Sequence, residues 1–424
     1  MLYSLYNLFF YAATPFILLR LLWRSRYKRA YRQNIAQRFG YIKVPAEFRG
    51  GLWIHTVSLG EIIAATPLIK TIRQHHPDLR ITLTTMTITG SEYVKAHFVP
   101  EVFHIFVPYD LPCVVRRFLN RLQPTTLLIL ETELWPNILK ACQQRSIPIM
   151  LSNARLSEQS VKRYRYLGPV IRNMLSAIKV IATHAKIDGD RFISLGATAQ
   201  QVTVVGSIKF DIVTPASVLE QAPALRQLLG VDRPILIAAS THEGEEEKIF
   251  SVFKQILKKI PHALLLLAPR HPERFSRITS YCEQQHFETV SYTSQKACQK
   301  STQIFLIDTV GQLKLFYAVA DVAFVGGSLM PIGGHNILEP LSLGIPTIVG
   351  PYLFNFEEMS ELLLAEKVLL QIQTTEELAA LVIRLLEDSS LRGELAVKAE
   401  KVLAKNKGAV EKNLRLLEGL LKKN

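Results

Sequence analysis

From about residue 50 onward, short apolar runs alternate with amphipathic helical segments. This alternation predicts parallel strands joined by crossover helices, because each apolar run has the length of a strand and a helical repeat precedes the next run. In the first half, strands are predicted at Gly51–Val57, Arg80–Thr85, His104–Val107, Thr126–Glu131, Pro148–Ser152, Val180–Thr183 and Val202–Val205. The first half is therefore expected to form a doubly wound α/β domain.

A second series of strands begins after the proline-containing stretch Asp211–Pro223. Its members are predicted at Pro234–Ala239, Ala263–Ala268, Gln303–Ile307, Val322–Val325 and Pro346–Val349. We therefore predict two Rossmann-like domains, residues 31–212 and 213–424, with the helical tail Thr374–Lys423 on the surface of the second. Ligands of such sheets bind beyond the carboxyl ends of the strands, so a cleft between the two domains is the expected site.

The first 19 residues carry no charged side chain and read MLYSLYNLFFYAATPFILL. With Leu21, Leu22 and Trp23, this stretch reaches the lower end of the roughly 17–25 apolar residues that a membrane helix needs. Arg20 and Pro15 weaken that interpretation. We predict an N-terminal membrane anchor with a basic collar over residues 1–30.

Four interpretations of this segment compete. A secretory signal peptide has its positive charge before the apolar run and a small-residue cleavage site after it, whereas here the charge follows. A single anchor fits the charge order, and the positive-inside rule then keeps the rest of the chain cytoplasmic. A helix lying in the membrane interface is the close rival, with Tyr3, Tyr6, Tyr11 and Trp23 as interfacial aromatics. An ordinary buried helix is the fourth.

The net charge concentrates beside this segment. The 424 residues carry 50 Lys and Arg against 36 Asp and Glu, a formal charge of +14, and 48% are hydrophobic, which indicates a folded chain. Residues 1–49 contain nine basic residues and one acidic residue, and so contribute +8 of the +14. The rest of the chain shows no basic stripe interleaved with aromatics, so we expect anionic membrane lipids and not nucleic acid as the partner of this patch.

The four cysteines, Cys113, Cys142, Cys282 and Cys298, are widely spaced and form no C-x-x-C pair. This spacing excludes a zinc knuckle or a redox motif, and it favours a cytoplasmic chain whose cysteines are reduced thiols.

Polar clusters follow the predicted strands of the first domain. Glu61 lies in the segment His55–Glu61, where a strand gives way to a helix, and its carboxylate is a candidate general base. A helix N-terminus lowers the pKa of a carboxylate and weakens it as a base unless the site is dry, and a first-turn glutamate that caps its helix is the alternative.

Further candidates follow the next strands of this domain. Glu131 directly follows an apolar strand, so it is expected to be partly buried and to need a partner. Arg155, after the next strand, could meet either that carboxylate or an anionic substrate. Lys209 lies in the segment Gly206–Asp211 at the end of the domain, where a plain surface lysine is the alternative.

The second domain carries hydroxyl, arginine and glycine clusters at its strand ends. Those after the first two strands, Ser240–Glu245 and Pro269–Arg274, have the composition of a phosphate site. Asp308–Gln312 opens another helix. The segments Val325–Leu329 and Gly333–Pro340 contain four glycines that allow a nucleotide to approach the backbone, with Glu339 available to ribose hydroxyls; a purely structural glycine-rich turn is the alternative.

Several common motifs are missing. The sequence has no G-x-x-x-x-G-K-[ST], no G-x-G-x-x-G after a strand and no H-E-x-x-H, which excludes a P-loop ATPase, an ordinary NAD site and a zincin. The D-x-D of Asp188 to Asp190 precedes an apolar segment, so we interpret it as the capped start of a helix and not as a metal site.

Taken in order, the motifs resemble those of the 3-deoxy-D-manno-octulosonic acid (Kdo) transferases of bacterial lipopolysaccharide synthesis. The motifs that carry the resemblance are HTVSLGE, ETELWPN, NARLS, GSIKFD, STHEGEE, PRHPERF, FVGGSL and GGHNILEP. The resemblance implies two Rossmann-like domains of the GT-B type, CMP-Kdo as donor and the lipid A precursor lipid IVA as acceptor. It also implies an inverting transfer without metal or other cofactor, at the cytoplasmic face of the inner membrane.

The resemblance also assigns roles to residues. It implies that Glu61 is the general base and that Glu131 and Lys209 support the transition state. The positions that hold CMP are implied to be Pro269, Arg270, Val310, Gly311, Gln312, Asn336, Ile337, Leu338 and Glu339. Gln312 departs from the pattern, since related sequences usually carry Glu there, which puts any side-chain role in doubt.

Two other functions stay open from the sequence. One is a GT-B glycosyltransferase or epimerase that uses a UDP-sugar. The other is a non-catalytic membrane scaffold with a retained nucleotide-sugar fold.

Overall fold

The predicted alternation of strands and helices forms two seven-stranded sheets, each with every strand parallel to its neighbours. The computed structural model describes residues 2–26 and 34–421. The two α/β sheets confirm the predicted fold class. One compact unit comprises residues 1–211 with 406–424, and the other comprises residues 212–405.

The first unit is built on strands β1 to β7 in the order β3-β2-β1-β4-β5-β6-β7. The strands are β1 Leu52–His55, β2 Ile81–Thr85, β3 Phe103–Phe106, β4 Thr126–Leu130, β5 Ile149–Ala154, β6 Val180–Thr183 and β7 Val202–Val204. All seven predicted strands are confirmed. The helices are α1 Leu2–Ser25, α2 Ile35–Arg38, α3 Leu59–His75, α4 Ile88–His97, α5 Pro112–Leu122, α6 Pro136–Gln144, α7 Glu158–Arg165, α8 Pro169–Ser176 and α9 Lys186–Ser194.

Both faces of this sheet are covered by helices, which explains why its strands read as continuous apolar runs and not as alternating ones. In β1, Trp53 joins the hydrophobic cluster on one face, while Leu52 and Ile54 join the cluster on the other. All four residues of β1 are buried.

The second unit repeats the design on strands β8 to β14, in the order β10-β11-β9-β8-β12-β13-β14. These are β8 Ile235–Thr241, β9 Leu264–Pro269, β10 Thr289–Ser291, β11 Ile304–Leu306, β12 Val322–Val325, β13 Thr347–Val349 and β14 Leu369–Gln371. The helices are α10 Ala216–Leu229, α11 Glu245–Lys259, α12 Phe275–Gln284, α13 Leu313–Tyr317, α14 Leu338–Ser342, α15 Glu357–Ala365, α16 Thr375–Glu387 and α17 Ser389–Asn406. The sequence pattern missed β10 and β14, which are three-residue edge strands with few fully buried positions.

The last helix, α18 Ala409–Leu421, packs on the first unit and not on the second, contrary to the predicted domain 213–424. Its apolar residues Leu414 and Leu417 are buried in the cluster that also holds β1 residues. The Asp211 carboxylate accepts hydrogen bonds from the backbone N–H groups of Gly408 (2.6 Å) and Val410 (2.5 Å). The tail therefore returns to the first unit because its buried face matches that sheet, which an amphipathic pattern alone does not reveal.

Helix α1 contains the segment Tyr3–Trp23, which is long and apolar enough to cross a membrane by length and composition. Its large apolar side chains are mostly exposed, including Leu8, Phe9 and Phe16. The helix is also held against the first unit, since the Tyr6 hydroxyl donates to the Asp110 carboxylate at 2.9 Å. Of the basic residues in the predicted segment 1–30, Lys28 and Arg29 lie outside the described residues.

Candidate functional site

In the first unit, the candidate residues gather where the strand order reverses. Strands β2 and β3 lie on one side of β1, and the chain then returns to place β4 on the other side. In open α/β sheets the crevice beyond the carboxyl ends of two such strands is the usual ligand site. Glu61 follows β1 and Glu131 follows β4, so both carboxylates occupy this position.

Glu61 caps helix α3 and is buried. Its Oε2 accepts a hydrogen bond from the Val57 N–H at 2.8 Å, and its Oε1 accepts one from the Ser58 N–H at 3.0 Å. In return the Ser58 Oγ accepts from the Glu61 N–H at 3.2 Å, which completes a capping box. The capping role weighed in the sequence analysis is therefore present.

The pKa of Glu61 is nevertheless raised above the ordinary value of a glutamate. Burial is the largest cause, and the negative charges of Glu133 and Glu131 add to it, while the hydrogen bonds from Val57 and Ser58 oppose it. A raised pKa makes the carboxylate a stronger base than a helix N-terminus alone would allow. Glu61 thus combines a fixed orientation with greater basicity.

Glu131 and Lys209 lie together, as their implied shared role requires. The Lys209 Nζ is 4.0 Å from Glu131 Oε1, and both side chains are about one third exposed. The Glu131 N–H donates to the Ser152 carbonyl at 2.9 Å, and the residue itself adopts a positive φ of 59°. A non-glycine residue in the left-handed region is uncommon and turns the side chain out of the strand direction. The strand end is therefore shaped to present this carboxylate.

The loop after Glu131 contains a contact that the sequence did not predict. The Trp135 indole N–H donates to Glu133 Oε2 at 2.8 Å, and its ring packs edge-on against His55 at 5.4 Å. His55 is fully buried, and burial lowers its pKa to about 3. Its Nδ1 lies 3.0 Å from Thr84 Oγ1. A neutral imidazole supports the Trp135 ring, so His55 positions this loop.

Two further residues of the NARLS motif lie at the end of β5. Asn153 is buried with a φ of 55°, and its Oδ1 contacts His184 Nε2 and accepts from the Ile208 N–H at 3.2 Å. This bond ties β5 to the turn that carries Lys209. The Arg155 side chain is exposed, and its carbonyl accepts a hydrogen bond from the Thr132 hydroxyl.

In the second unit, the buried side chain of Glu245 holds the backbone of the glycine-rich segment after β12. The buried Glu245 carboxylate accepts hydrogen bonds from the N–H groups of Gly327 (2.7 Å), Ser328 (3.1 Å) and Leu329 (2.9 Å). It also accepts from the His242 N–H at 2.9 Å. Those N–H groups are occupied, so this segment acts as the structural turn that was the alternative in the sequence analysis, and not as a phosphate cradle.

The glycines of this segment serve close chain packing. A Cβ at Gly326 would lie 2.6 Å from the Ser240 carbonyl oxygen, and one at Gly350 would lie 2.2 Å from that of Ser328. At both glycines the neighbouring backbone passes so close that no side chain larger than hydrogen fits. This packing fixes the carboxyl ends of β8, β12 and β13 beside each other.

The ends of β8 and β9 are joined by a buried ion pair. Arg274 makes a two-bond contact with Glu246, at 2.8 Å and 3.0 Å, and the Thr241 hydroxyl donates to the same carboxylate at 2.8 Å. Pro269 ends β9, and the N–H of Arg270 donates to the Thr241 carbonyl at 3.0 Å. The Arg270 side chain is exposed. Arg274 thus holds the turn, and the neighbouring Arg270 side chain points away from this buried pair into solvent.

Three histidines surround this turn. His242 Nε2 lies 2.7 Å from His335 Nε2, and the rings of His242 and His271 meet edge to face at 5.3 Å. Burial, the other histidines and Arg270 lower the pKa of both rings, that of His335 to about 4. At neutral pH the pair is uncharged, so one ring donates and the other accepts. The nearby guanidinium of Arg270 is exposed, whereas that of Arg274 is paired with Glu246.

The remaining implied CMP positions lie at the N-terminal ends of two short helices, α13 and α14. Asn336 Oδ1 accepts from the Leu338 N–H at 3.1 Å, and its Nδ2 donates to Glu339 Oε1 at 3.1 Å. Ile337 and Leu338 are buried, while the exposed turn Val310 to Gln312 opens α13. Burial raises the pKa of Glu339, and the charge of Lys314 on α13 opposes that shift. Glu339 is therefore close enough to Lys314 on α13 for the two charges to interact.

Asp188 is structural, as expected, although it does not cap the helix. It lies in the first turn of α9, and its carboxylate accepts from the Leu156 N–H at 2.9 Å. Among residues 2–26 and 34–421, no group of three His, Cys, Asp or Glu side chains has a geometry suited to a metal ion.

The sequence analysis missed the supporting residues His55, Asn153, Glu245, Glu246 and Arg274. Only Glu246 and Arg274 had a usable signal, since opposite charges followed neighbouring strands in the STHEGEE and PRHPERF motifs. The bonds of Glu245 to a loop more than 80 residues away had none.

Comparison with known proteins agrees with the resemblance. Residues 33–212 match the model of the 3-deoxy-D-manno-octulosonic-acid transferase (kdotransferase) family. The chain is 41% identical over 396 residues to the 3-deoxy-D-manno-octulosonic acid transferase of Haemophilus influenzae, and the match covers 93% of each chain.

Two solved structures are also similar. The C-terminal CMP-Kdo binding domain of WaaA from Acinetobacter baumannii is 34% identical, with a TM-score of 0.43 over 45% of this chain and 99% of that one. The UDP-GlcNAc 2-epimerase of Neisseria meningitidis is 13% identical, with a TM-score of 0.57 over 88% of this chain and 100% of that one. The second likeness shows the GT-B-like fold. Because its sequence is 41% identical to the Haemophilus enzyme over 93% of each chain, this protein is a glycosyltransferase that belongs to the Kdo transferase family.

Proposed function

We propose that this enzyme transfers Kdo from CMP-Kdo to the lipid A precursor lipid IVA, with inversion at the anomeric carbon. The observation that carries the proposal is the gathering of Glu61, Glu131 and Lys209 where the order of the first sheet reverses. Glu61 takes the proton of the acceptor hydroxyl. The acceptor oxygen bonds to the anomeric carbon as the bond from that carbon to the phosphate oxygen of CMP breaks, and CMP leaves.

The charges support this division of roles. Glu61 is a buried carboxylate with a raised pKa, which suits a general base. Lys209 beside Glu131 supplies positive charge for the transition state. In the second unit, Arg270 is the exposed cation of the turn after β9, where a departing phosphate needs a positive charge.

We also propose that the N-terminal helix holds the enzyme at the cytoplasmic side of the bacterial inner membrane. The exposed apolar side chains of α1 suit a lipid environment. The basic residues that follow suit anionic headgroups.

Replacing Lys209 with methionine is expected to lower transfer by about 100-fold, because it removes a charge that faces the reaction. The free energy of unfolding should change by less than about 1 kcal/mol, because exposed ion pairs contribute little. Initial rates and urea unfolding measure the two effects. Lys162→Met is the matched control, since Lys162 forms an exposed pair with Glu158 at 2.8 Å. An equal loss of activity in both variants would contradict the role of Lys209.

Nucleotide competition tests the donor. CMP is expected to inhibit transfer competitively against CMP-Kdo, and UDP is not expected to inhibit it. Inhibition by UDP alone would favour an enzyme that uses a UDP-sugar.

Replacing Arg270 with alanine should raise the KM for CMP-Kdo by about 10-fold to 100-fold, because one charge-assisted contact is lost. Arg277→Ala is the control, because Arg277 pairs on the surface with Glu243 at 2.7 Å.

A further inference from the structure

A cavity of about 820 Å³ lies between helix α1 and the body of the first unit. Its size falls in the range of ligand pockets, roughly 300–1,000 Å³. Its lining residues are Tyr3, Tyr6, Phe10, Ile17, Arg20, Leu21, Arg38, Met86, Thr87, Tyr109, Asp110, Leu134, Trp135, Pro136, Tyr164, Leu167, Val170 and Met174. The wall is mostly aromatic and aliphatic, so the cavity suits an apolar ligand.

Two polar side chains of the wall, Asp110 and Arg38, hydrogen-bond to other protein groups. The Asp110 carboxylate accepts from the Tyr6 hydroxyl at 2.9 Å and from the N–H groups of Asn137 (2.9 Å) and Ile138 (2.8 Å) at the start of α6. Arg38 donates to the Met86 carbonyl at 2.7 Å. Because these groups already have partners, the surface that a ligand meets is apolar.

Helix α1 has two apolar faces, one that lines the cavity and one that is exposed. The face that lines the cavity carries residues along most of the helix, from Tyr3 to Leu21. The opposite face is exposed and follows helical spacing, with apolar residues at Leu5, Phe9, Ala12, Phe16, Leu19 and Trp23. A helix held lengthwise on the protein, with an apolar outer face, lies in the membrane interface. The cavity beneath it therefore lies beside the bilayer.

The cavity also adjoins the catalytic loop. Leu134, Trp135 and Pro136 line it, and they belong to the loop that begins at Glu131. The Trp135 indole N–H is bonded to Glu133, whose charge raises the pKa of Glu61. A lipid whose sugar lies at Glu61 and Glu131 would place its apolar part next to this wall. Arg20, exposed at the lining, matches the negative charge of such a headgroup.

We infer that this cavity binds one fatty acyl chain of the lipid acceptor during transfer. The inference rests on the proposed function, and it makes the enzyme selective for acylated acceptors. The acyl chain passes from the bilayer beneath α1 while the sugar reaches the carboxylates at the sheet edge.

Filling the cavity tests the inference. Val170→Trp places a large ring in it, and Ile193→Trp, at an exposed apolar position on α9, is the matched control. Each variant is assayed with a long-chain acceptor and with a short-chain analogue that has the same headgroup. We expect Val170→Trp to raise the KM for the long-chain acceptor about tenfold, leaving the short-chain analogue and the control unaffected. Equal effects on both acceptors, or none, would overturn the inference.

A second measurement does not depend on the folding of a variant. The full-length wild-type enzyme is irradiated with an acceptor that carries a diazirine at the end of one acyl chain, and labelled peptides are identified by mass spectrometry. Labelling of Leu167 to Met174 supports the inference. It is overturned by labelling confined to the outer face of α1, or by equal labelling of the cavity from a diazirine phospholipid. Absence of transfer to either acceptor by the wild-type enzyme would instead refute the proposed function.

Discussion

Replacement of Glu61 by glutamine is expected to lower Kdo transfer by 100-fold or more while CMP binding stays unchanged, because a general base contributes about 10²–10⁴-fold to such a step. Glutamine is suited to this test because it also occurs at the N3 position of capping boxes. Its carbonyl oxygen can still accept from Val57 or Ser58, so helix α3 keeps most of its cap. Initial rates with CMP-Kdo and calorimetric binding of CMP measure the two effects separately.

Ser58→Ala is the control for capping. It removes the hydroxyl that accepts from the Glu61 N–H and retains the carboxylate. It should destabilise the protein by about 0.5–2 kcal/mol, as cap removal generally does, and leave turnover close to normal. If Glu61→Gln behaved like Ser58→Ala, Glu61 would be a cap and not a base.

The pH dependence of kcat/KM should report the ionisation of Glu61. The base is active when ionised, and burial raises the pKa of Glu61. As pH falls through this raised pKa, kcat/KM should decline, beginning at a higher pH than an ordinary glutamate would give. In Glu61→Gln this acid limb should disappear. An unchanged acid limb in that variant would assign it to another group.

Replacement of Glu245 by alanine is expected to destabilise the second unit strongly. Glu245 satisfies four backbone N–H groups, three of them in the glycine-rich turn. Each buried N–H left without a partner costs about 1–3 kcal/mol. The free energy of unfolding should fall by about 3–5 kcal/mol, as it does when one partner of a buried charged network is removed. Urea unfolding followed by circular dichroism measures this change.

Glu247→Ala provides the comparison. Glu247 lies two residues further along α11 and is exposed, so its removal should change the free energy of unfolding by no more than about 0.5 kcal/mol. Similar stability of Glu245→Ala and Glu247→Ala would show that the turn does not depend on the buried carboxylate.

The sequence predicted the parts of the structure that depend on local pattern. Central strands such as β1 and β4 are buried throughout and mostly apolar because both faces of a parallel sheet are covered, and this made them recognisable in the sequence. The carboxylates that follow these strands, Glu131 directly after β4 and Glu61 in the first turn of the helix after β1, were recognisable because parallel strands all end at one edge. The edge strands β10 and β14 do not show this pattern, because only one of their six residues is buried.

Contacts between distant segments could not be predicted in this way. The apolar face of α18 fits a sheet that lies earlier in the chain, yet its sequence favours neither unit. Glu245 was expected near a phosphate site, whereas its charge is used by the backbone of Gly327 to Leu329. The anchor was predicted from hydropathy, charge order and interfacial aromatics, none of which reveals the Tyr6 to Asp110 bond between residues 104 apart that holds it on the first unit.

The most direct test of the account is the mass of the product. The full-length enzyme, in detergent micelles, is incubated with CMP-Kdo and a tetraacylated, bisphosphorylated glucosamine disaccharide, and the lipid is examined by mass spectrometry. The account predicts that the acceptor gains a whole number of Kdo residues, with one CMP released for each. An acceptor of unchanged mass with CMP-Kdo, together with a mass gain when a UDP-sugar is supplied, would contradict it.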